Sequence, residues 1–335
     1  MVTRVRWPVA LVLVSLFAVA CGGRSHGTKA PATDAAPAAT ATARAARPPA
    51  PTPSRLALVA TRSLPFATQL PAAAVRGSQV LAAGGLDAGD ASLSTLVRVA
   101  PGKPRTVSSL PQAVHDAGAA TLGATLYVFG GGTAAGPTDA IVAVRGTHAR
   151  TIGRLPQPAS DLEAVRVGRR IIVIGGYTAT TPLRDVLAFT PGTTLRRIAS
   201  LPHALRYAAV GAVGGRVVIA GGTDGVHARD EILSVDPARG TVHRIGRLPS
   251  PLAHAAGAAL GGTFYVFGGR GDSLTSQHRT IYAIDPATGH LHRAGRLPAA
   301  LSDLTAVATG GHVLVIGGRD ATGRVHDRLL EYAPR

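Results

Sequence analysis

One spacing constrains this 335-residue chain more than any other feature. A Leu-Pro pair begins at Leu64, Leu110, Leu155, Leu201, Leu248 and Leu297. A Gly-Gly pair begins 20 residues after each Leu, at 84, 130, 175, 221, 268 and 317. A further glycine falls 13 after each Leu: Gly77, Gly123, Gly168, Gly214, Gly261 and Gly310. Successive copies lie 46, 45, 46, 47 and 49 residues apart, and all the variation in length follows the Gly-Gly. A repeat of this length is one supersecondary unit that cannot bury its apolar surface alone, so it must stack on its neighbours.

Within a copy, short apolar runs alternate with turn residues, which predicts a four-stranded antiparallel meander. Strand a is rich in Ala and Gly, and the glycine at 13 turns it into strand b ("LYVFGG", "IIVIGG"). Strand c ("AIVAVRG", "EILSVDP") follows a variable loop, and a Pro/Gly/Thr turn leads to strand d ("TVHRIGR"). Across the six copies, 13 of the 18 residues at positions eight to ten after the Leu are Ala or Gly. Small side chains are needed where strands converge on an axis, so strand a is the innermost strand of a propeller blade. The last copy stops after its strand c, at "RLLEYAPR", while "SRLALVATRSLP" at 54–65 is a strand d with no copy in front of it. The expected fold is all-β, a six-bladed propeller whose N-terminal strand closes the last blade and removes an open sheet edge.

Apolar runs ending in Gly-Gly, six times over at this spacing, resemble the Kelch repeat over about residues 55–335. The chain departs from that family at strand d, where Ile152, Ile198, Ile245 and Ala294 stand in place of an aromatic; thinner packing at the rim follows. The resemblance implies kinship of fold with the central domain of galactose oxidase and with the periplasmic sialic-acid epimerase. Copper oxidase chemistry of the first kind needs a tyrosine cross-linked to a cysteine, and the single cysteine here, Cys21, precedes the repeats. No P-loop, nucleophile elbow or zinc signature is present, and no cofactor or metal is expected. A hard cation held by Asp116, Asp161, Asp303 and His254 is the one metal reading the residue types permit.

The N-terminus reads as an export signal over 1–20: Arg4 and Arg6, an apolar stretch over 9–19, and Ala18-Val19-Ala20 as cleavage site. The stretch is too short to span a bilayer as a stable helix. Cys21 directly after the site resembles the lipobox of bacterial lipoproteins; it would then carry acyl chains that anchor the protein to the cell membrane. Plain secretion is the alternative. Residues 21–54, rich in Ala, Pro and Thr, read as a tether. The expected location is the extracytoplasmic cell envelope, and the expected state a monomer.

The formal charge of +17 would suggest nucleic acid in an intracellular protein. Here export, the recurrence of arginine on every strand d and the lack of interleaved aromatics argue against it. Arg154, Arg196, Arg197, Arg244, Arg247, Arg293 and Arg296 read as a solvated rim, with attraction to anionic lipid or acidic envelope polymers as the alternative. The adhesion tripeptide Arg270-Gly271-Asp272 is short enough to arise by chance.

The d–a and b–c loops of a propeller emerge on one face, where strand a enters the central channel. Five residues after each Leu stand Gln69, His115, Ser160, Arg206, Ala253 and Ser302; six after stand Leu70, Asp116, Asp161, Tyr207, His254 and Asp303. This polar ring varies from blade to blade while the framework repeats, as an asymmetric ligand would require. Glu163 falls in the small-residue zone, two residues inside Asp161. Asp116, Asp161 and Asp303 carry two readings, ligand contact or backbone turn, because the same type recurs in three blades. His115, Arg206, Tyr207, His254 and Glu163 do not recur and favour binding, with Ser302 beside them. Tyr177, Asp224, Arg270, Arg319 and Asp320, just past the Gly-Gly pairs, would form the outer part of the site. The expected function is a non-catalytic module that binds a glycan, a small polar molecule or an envelope protein on this face. The alternative is a carbohydrate-active enzyme, epimerase- or mutarotase-like, using the His, Asp and Glu of the channel mouth.

Overall fold

The computed structural model describes residues 55–335, so the expected export signal over 1–20, Cys21 and the expected tether over 21–54 lie outside the described residues. The repeats form six four-stranded antiparallel sheets arranged as a β-propeller. Blade 1 comprises, from the axis outward, Ala72–Arg76, Gln79–Ala83, Leu93–Ala100 and Arg105–Val114. The inner strands of blades 2 to 6 are Gly118–Leu122, Glu163–Val167, Ala209–Val213, Ala256–Leu260 and Thr305–Thr309. Blade 6 continues through His312–Ile316 and Arg328–Pro334 to Leu56–Ser63, the N-terminal strand, which pairs antiparallel from Leu56 against Pro334 to Ser63 against Arg328. The expected closure is therefore observed.

The apolar core is six slabs, one in each seam between neighbouring blades. The Leu of every Leu-Pro pair is buried in a different slab, which is why it recurs. The Gly-Gly row is fixed by the next blade. A Cβ on the first glycine would lie 2.0–2.3 Å from the carbonyl oxygen four residues after the following blade's Leu; that of Gly175, for example, would meet Leu205 O. The N–H of the second glycine donates to that same carbonyl at 2.8–2.9 Å in all six blades. Only a residue without a side chain permits so close an approach at φ +57 to +66°. The two repeated motifs thus clasp each other across every seam, with Thr68 serving Gly317 and Gly318 at the closure.

Candidate functional site

The row six residues after the Leu has a backbone property its composition hides. Leu70, Asp116, Asp161, Tyr207, His254 and Asp303 all adopt the left-handed conformation, with φ between 51 and 59°. Each N–H donates to the carbonyl of the equivalent residue one blade earlier, at 2.7–3.4 Å, and Leu70 N–H to Asp303 O closes the circuit. The channel mouth is therefore a ring of six backbone hydrogen bonds. The left-handed region costs an ordinary residue about 1–2 kcal/mol, least for Asp and Asn, whose side chains bond locally. Aspartate, among the types that tolerate the region best, occupies it in three blades. Glycine would adopt the geometry without strain, yet no blade uses it, so the six side chains are retained despite the backbone cost.

Those side chains interlock above the ring. Arg206 forms an ion pair with Asp161. It also donates to the Tyr207 hydroxyl at 3.2 Å and lies with its Cζ 4.0 Å over the Tyr177 ring. Tyr207 reaches across to Asp116 Oδ2 at 3.4 Å and stacks on His254, with ring centroids 3.8 Å apart. His254 Nδ1 meets Asp303 Oδ1 at 2.5 Å, and Arg270 Nη2 meets His254 Nε2 at 2.9 Å. Because a guanidinium can only donate, Nε2 accepts and the ring proton sits on Nδ1, facing Asp303. Ser302, fully buried, donates to Asp303 Oδ2 at 2.6 Å and accepts from Gln277 Nε2 at 3.0 Å.

Burial, together with the neighbouring charges of Asp161 and Asp303, pushes the Asp116 carboxyl well above the usual range. Burial also raises Asp161, against the pull of Arg206. Burial would raise Asp303 too, but the hydrogen bonds from His254 and Ser302 and the charge of Arg270 hold it below its ordinary value. Burial, then Asp116 and Asp161, keep the Tyr207 hydroxyl protonated. The mouth therefore holds a protonated or shared carboxyl on the blade 2 and 3 side and a carboxylate–imidazole pair on the blade 5 and 6 side.

Two cavities flank this network. Outside it, a cleft of about 320 Å³ between blades 4 and 5 is lined by Arg206, Tyr207, Val226, His254, Arg270 and Asp272. Beneath it runs the central channel, about 650 Å³, walled by the Ala- and Gly-rich strands a. Glu163 lines that channel rather than the mouth. Its carboxyl makes no hydrogen bond or ion pair among the described residues, and burial pushes it up to about 8.

The remaining candidates lie apart. His115 sits over Gly132 and bonds Ser92 Oγ of blade 1 at 2.9 Å; burial lowers its pKa. Asp224 accepts from the N–H groups of Val226 and His227 and from Arg229, which together hold it at about 2. Asp320 accepts from Thr322, Arg324 and His326. Both carboxylates organise their own loops. Arg319 faces Asp90 at 4.0 Å, at the seam of blades 6 and 1. Arg270 turns inward to His254 while Asp272 accepts from Ala228 N–H, so the adhesion tripeptide is not presented as a free loop.

Sequence reasoning missed Gln277 and Val226 and named Asp272 only within the adhesion tripeptide; all three come from b–c loops of unequal length. Among the described residues, no group of three or more His, Cys, Asp or Glu is arranged to hold a metal, and no helix is long and apolar enough to cross a membrane. No model of a known protein family matches the chain, and no curated protein is significantly similar to it.

Proposed function

We propose that the propeller is a non-catalytic binding module whose ligand, one sugar unit of a glycan or a polar molecule of that size, docks in the cleft between blades 4 and 5. One observation carries the reading: Arg206 and Arg270 converge on the stacked Tyr207 and His254 at the floor of an open cleft. Guanidinium donors, the carboxylate of Asp272 and an aromatic edge together match a polyhydroxylated ligand, which offers acceptors, donors and apolar faces. The cleft volume of about 320 Å³ sits at the small end of the range for ligand pockets.

The enzyme alternative draws support from the Asp303–His254 pair, in which a carboxylate orients an imidazole. Arg270 weighs against it, because the nitrogen a base would use already accepts a hydrogen bond. The Gly-Gly clasp supports placing the chain among Kelch-type propellers. The export signal and Cys21 support a lipid-anchored envelope protein, read by incorporation of a labelled fatty acid that Cys21→Ser abolishes.

A thermal-shift screen of mono- and oligosaccharides and small metabolites on the full chain tests the site. A stabilising hit is expected, with affinity at least about tenfold lower in Arg270→Ala, the loss of about 1.4 kcal/mol. Silence across the panel, or a hit that binds Arg270→Ala and Arg206→Lys as tightly as the parent, overturns the reading.

A further inference from the structure

In blades 1 to 3 the carboxylates are sorted by face. In blades 1 to 3 every carboxylate (Asp87, Asp90, Asp116, Asp139, Asp161, Glu163 and Asp185) lies at the mouth end of its strand or in a b–c loop. The opposite face is built from the a–b and c–d turns. There, in the same three blades, stand Arg105, Arg145, Arg150, Arg166, Arg169 and Arg196, all exposed, and none forms an ion pair among the described residues. On the other half of that face carboxylates are interspersed with the basic groups: Arg216 and Arg239 meet Asp236 at 3.5 and 2.9 Å, and His312 meets Glu331 at 2.6 Å. A merely solvated surface intersperses the two signs. Here one sign is segregated over half of one face.

A second, independent observation comes from the topology. Leu56 pairs with Pro334, and Arg335 N–H donates to Arg55 O at 2.8 Å, both at the a–b and c–d turn face. Residue 55 therefore enters the propeller at the turn face, in blade 6, on the side opposite the cleft. We propose that the turn face of blades 1 to 3 docks on an anionic lipid surface, holding the cleft outward. Basic residues at such a surface contribute about 1 kcal/mol each and act within a Debye length of about 8–10 Å, so a flat face that presents several at once binds without inserting anything. The side of entry bears on a membrane only together with the anchor read at Cys21, whereas the charge contact itself does not need the acyl chain. It is equally independent of the cleft and its ligand.

Flotation with vesicles tests it, using the full chain carrying Cys21→Ser so that no acylation contributes. Binding to vesicles of equal parts phosphatidylglycerol and phosphatidylcholine is expected to exceed binding to phosphatidylcholine alone, and raised salt should abolish the difference. Combining Arg150→Glu, Arg169→Glu and Arg196→Glu should weaken the phosphatidylglycerol-dependent binding by about a hundredfold or more. Combining Arg244→Glu, Arg293→Glu and Arg296→Glu, the same charge change on the outer strands of blades 4 and 5, should leave it near the parent. If the first combination melts early, Arg169→Glu alone should still weaken binding by about fivefold. Equal losses in both combinations would assign the effect to net charge, and no dependence on phosphatidylglycerol would remove it. Either overturns the proposal, as does tighter capture by soluble polyglutamate than by the vesicles.

Discussion

The two faces of the propeller are built from loops that the repeat leaves free to vary, yet they treat charge in opposite ways. At the mouth, Arg206 has Asp161 and His254 has Asp303, with side chains only 3–18% exposed in these pairs. On the turn face, Arg150, Arg169 and Arg196 are exposed and form no ion pair among the described residues. The cause is geometric. Six strands converge at the mouth and strip water from whatever they carry, and a buried charge without a partner is not tolerated there. A change in one blade must then be matched in the next. The turns splay outward on the far face, where solvent and salt reduce each lone charge to a small cost. Variation at the mouth is coupled across seams; variation on the turn face is not.

Breaking a mouth pair should therefore give the largest effect. Arg206→Ala leaves the Asp161 carboxylate buried and is expected to cost about 3 kcal/mol at neutral pH, measured by denaturant unfolding. In the variant the folded-state pKa of Asp161 rises further above its unfolded value, so the deficit should shrink as pH falls and the carboxyl takes a proton. A loss below about 1 kcal/mol with no pH dependence would show that the pair does not tie the seam. Glu163, between the two faces, tests the same rule with no partner present. Its carboxyl is raised from 4.5 to about 8 by burial, so the protonated form is favoured in the folded state. Stability from this group is fully present below about pH 4.5 and lost as pH rises through about 8. Glu163→Gln should match the parent in acid and exceed it by about 2–3 kcal/mol at alkaline pH, since one unit is worth about 1.4 kcal/mol and channel water screens part of the shift. Parallel pH profiles for the two proteins would mean that the carboxylate is solvated.

The propeller was legible because each repeated residue has one job performed six times: Leu fills a seam and Gly-Gly lies under the next blade's carbonyl. The mouth was legible in position for the same reason, since Leu-Pro sets the register of the rows behind it. Its backbone was not. Left-handed φ is signalled by Gly or Asn, and this row holds Leu70, Tyr207 and His254. Nor were its pairings. His254 and Asp303 lie 49 residues apart, and only closure of the ring brings them together. The sequence places Asp224 and Asp320 at the outer part of the site because they follow Gly-Gly; that each bonds the backbone of its own loop, as short polar side chains readily do, was not legible. The sorting of charge was present in the sequence as phase within the repeat. Grouping the arginines by strand concealed it, because Arg154 and Arg196 share strand d and point to opposite fates: Arg154 pairs with Asp139 at 2.7 Å, and Arg196 lies near the turn face with no ion pair.

That pairing difference yields the smallest prediction and the sharpest contrast between the faces. Arg154 is 75% exposed, so its ion pair with Asp139 is worth only tenths of a kcal/mol. Arg154→Glu removes it and sets a like charge beside Asp139, which should destabilise the protein by about 0.5 kcal/mol at low salt. Arg169 is also exposed, but its neighbours are Arg166 and Arg170. Arg169→Glu turns repulsion into attraction and should stabilise by a similar amount, about 0.5 kcal/mol. The substitution and the change in net charge are identical, so a whole-molecule charge effect would move both variants in the same direction. Opposite shifts in denaturation midpoint that converge as salt is raised would show that face, not net charge, decides the sign. Shifts of one sign, or shifts that salt leaves untouched, would show that the two faces do not differ in this way.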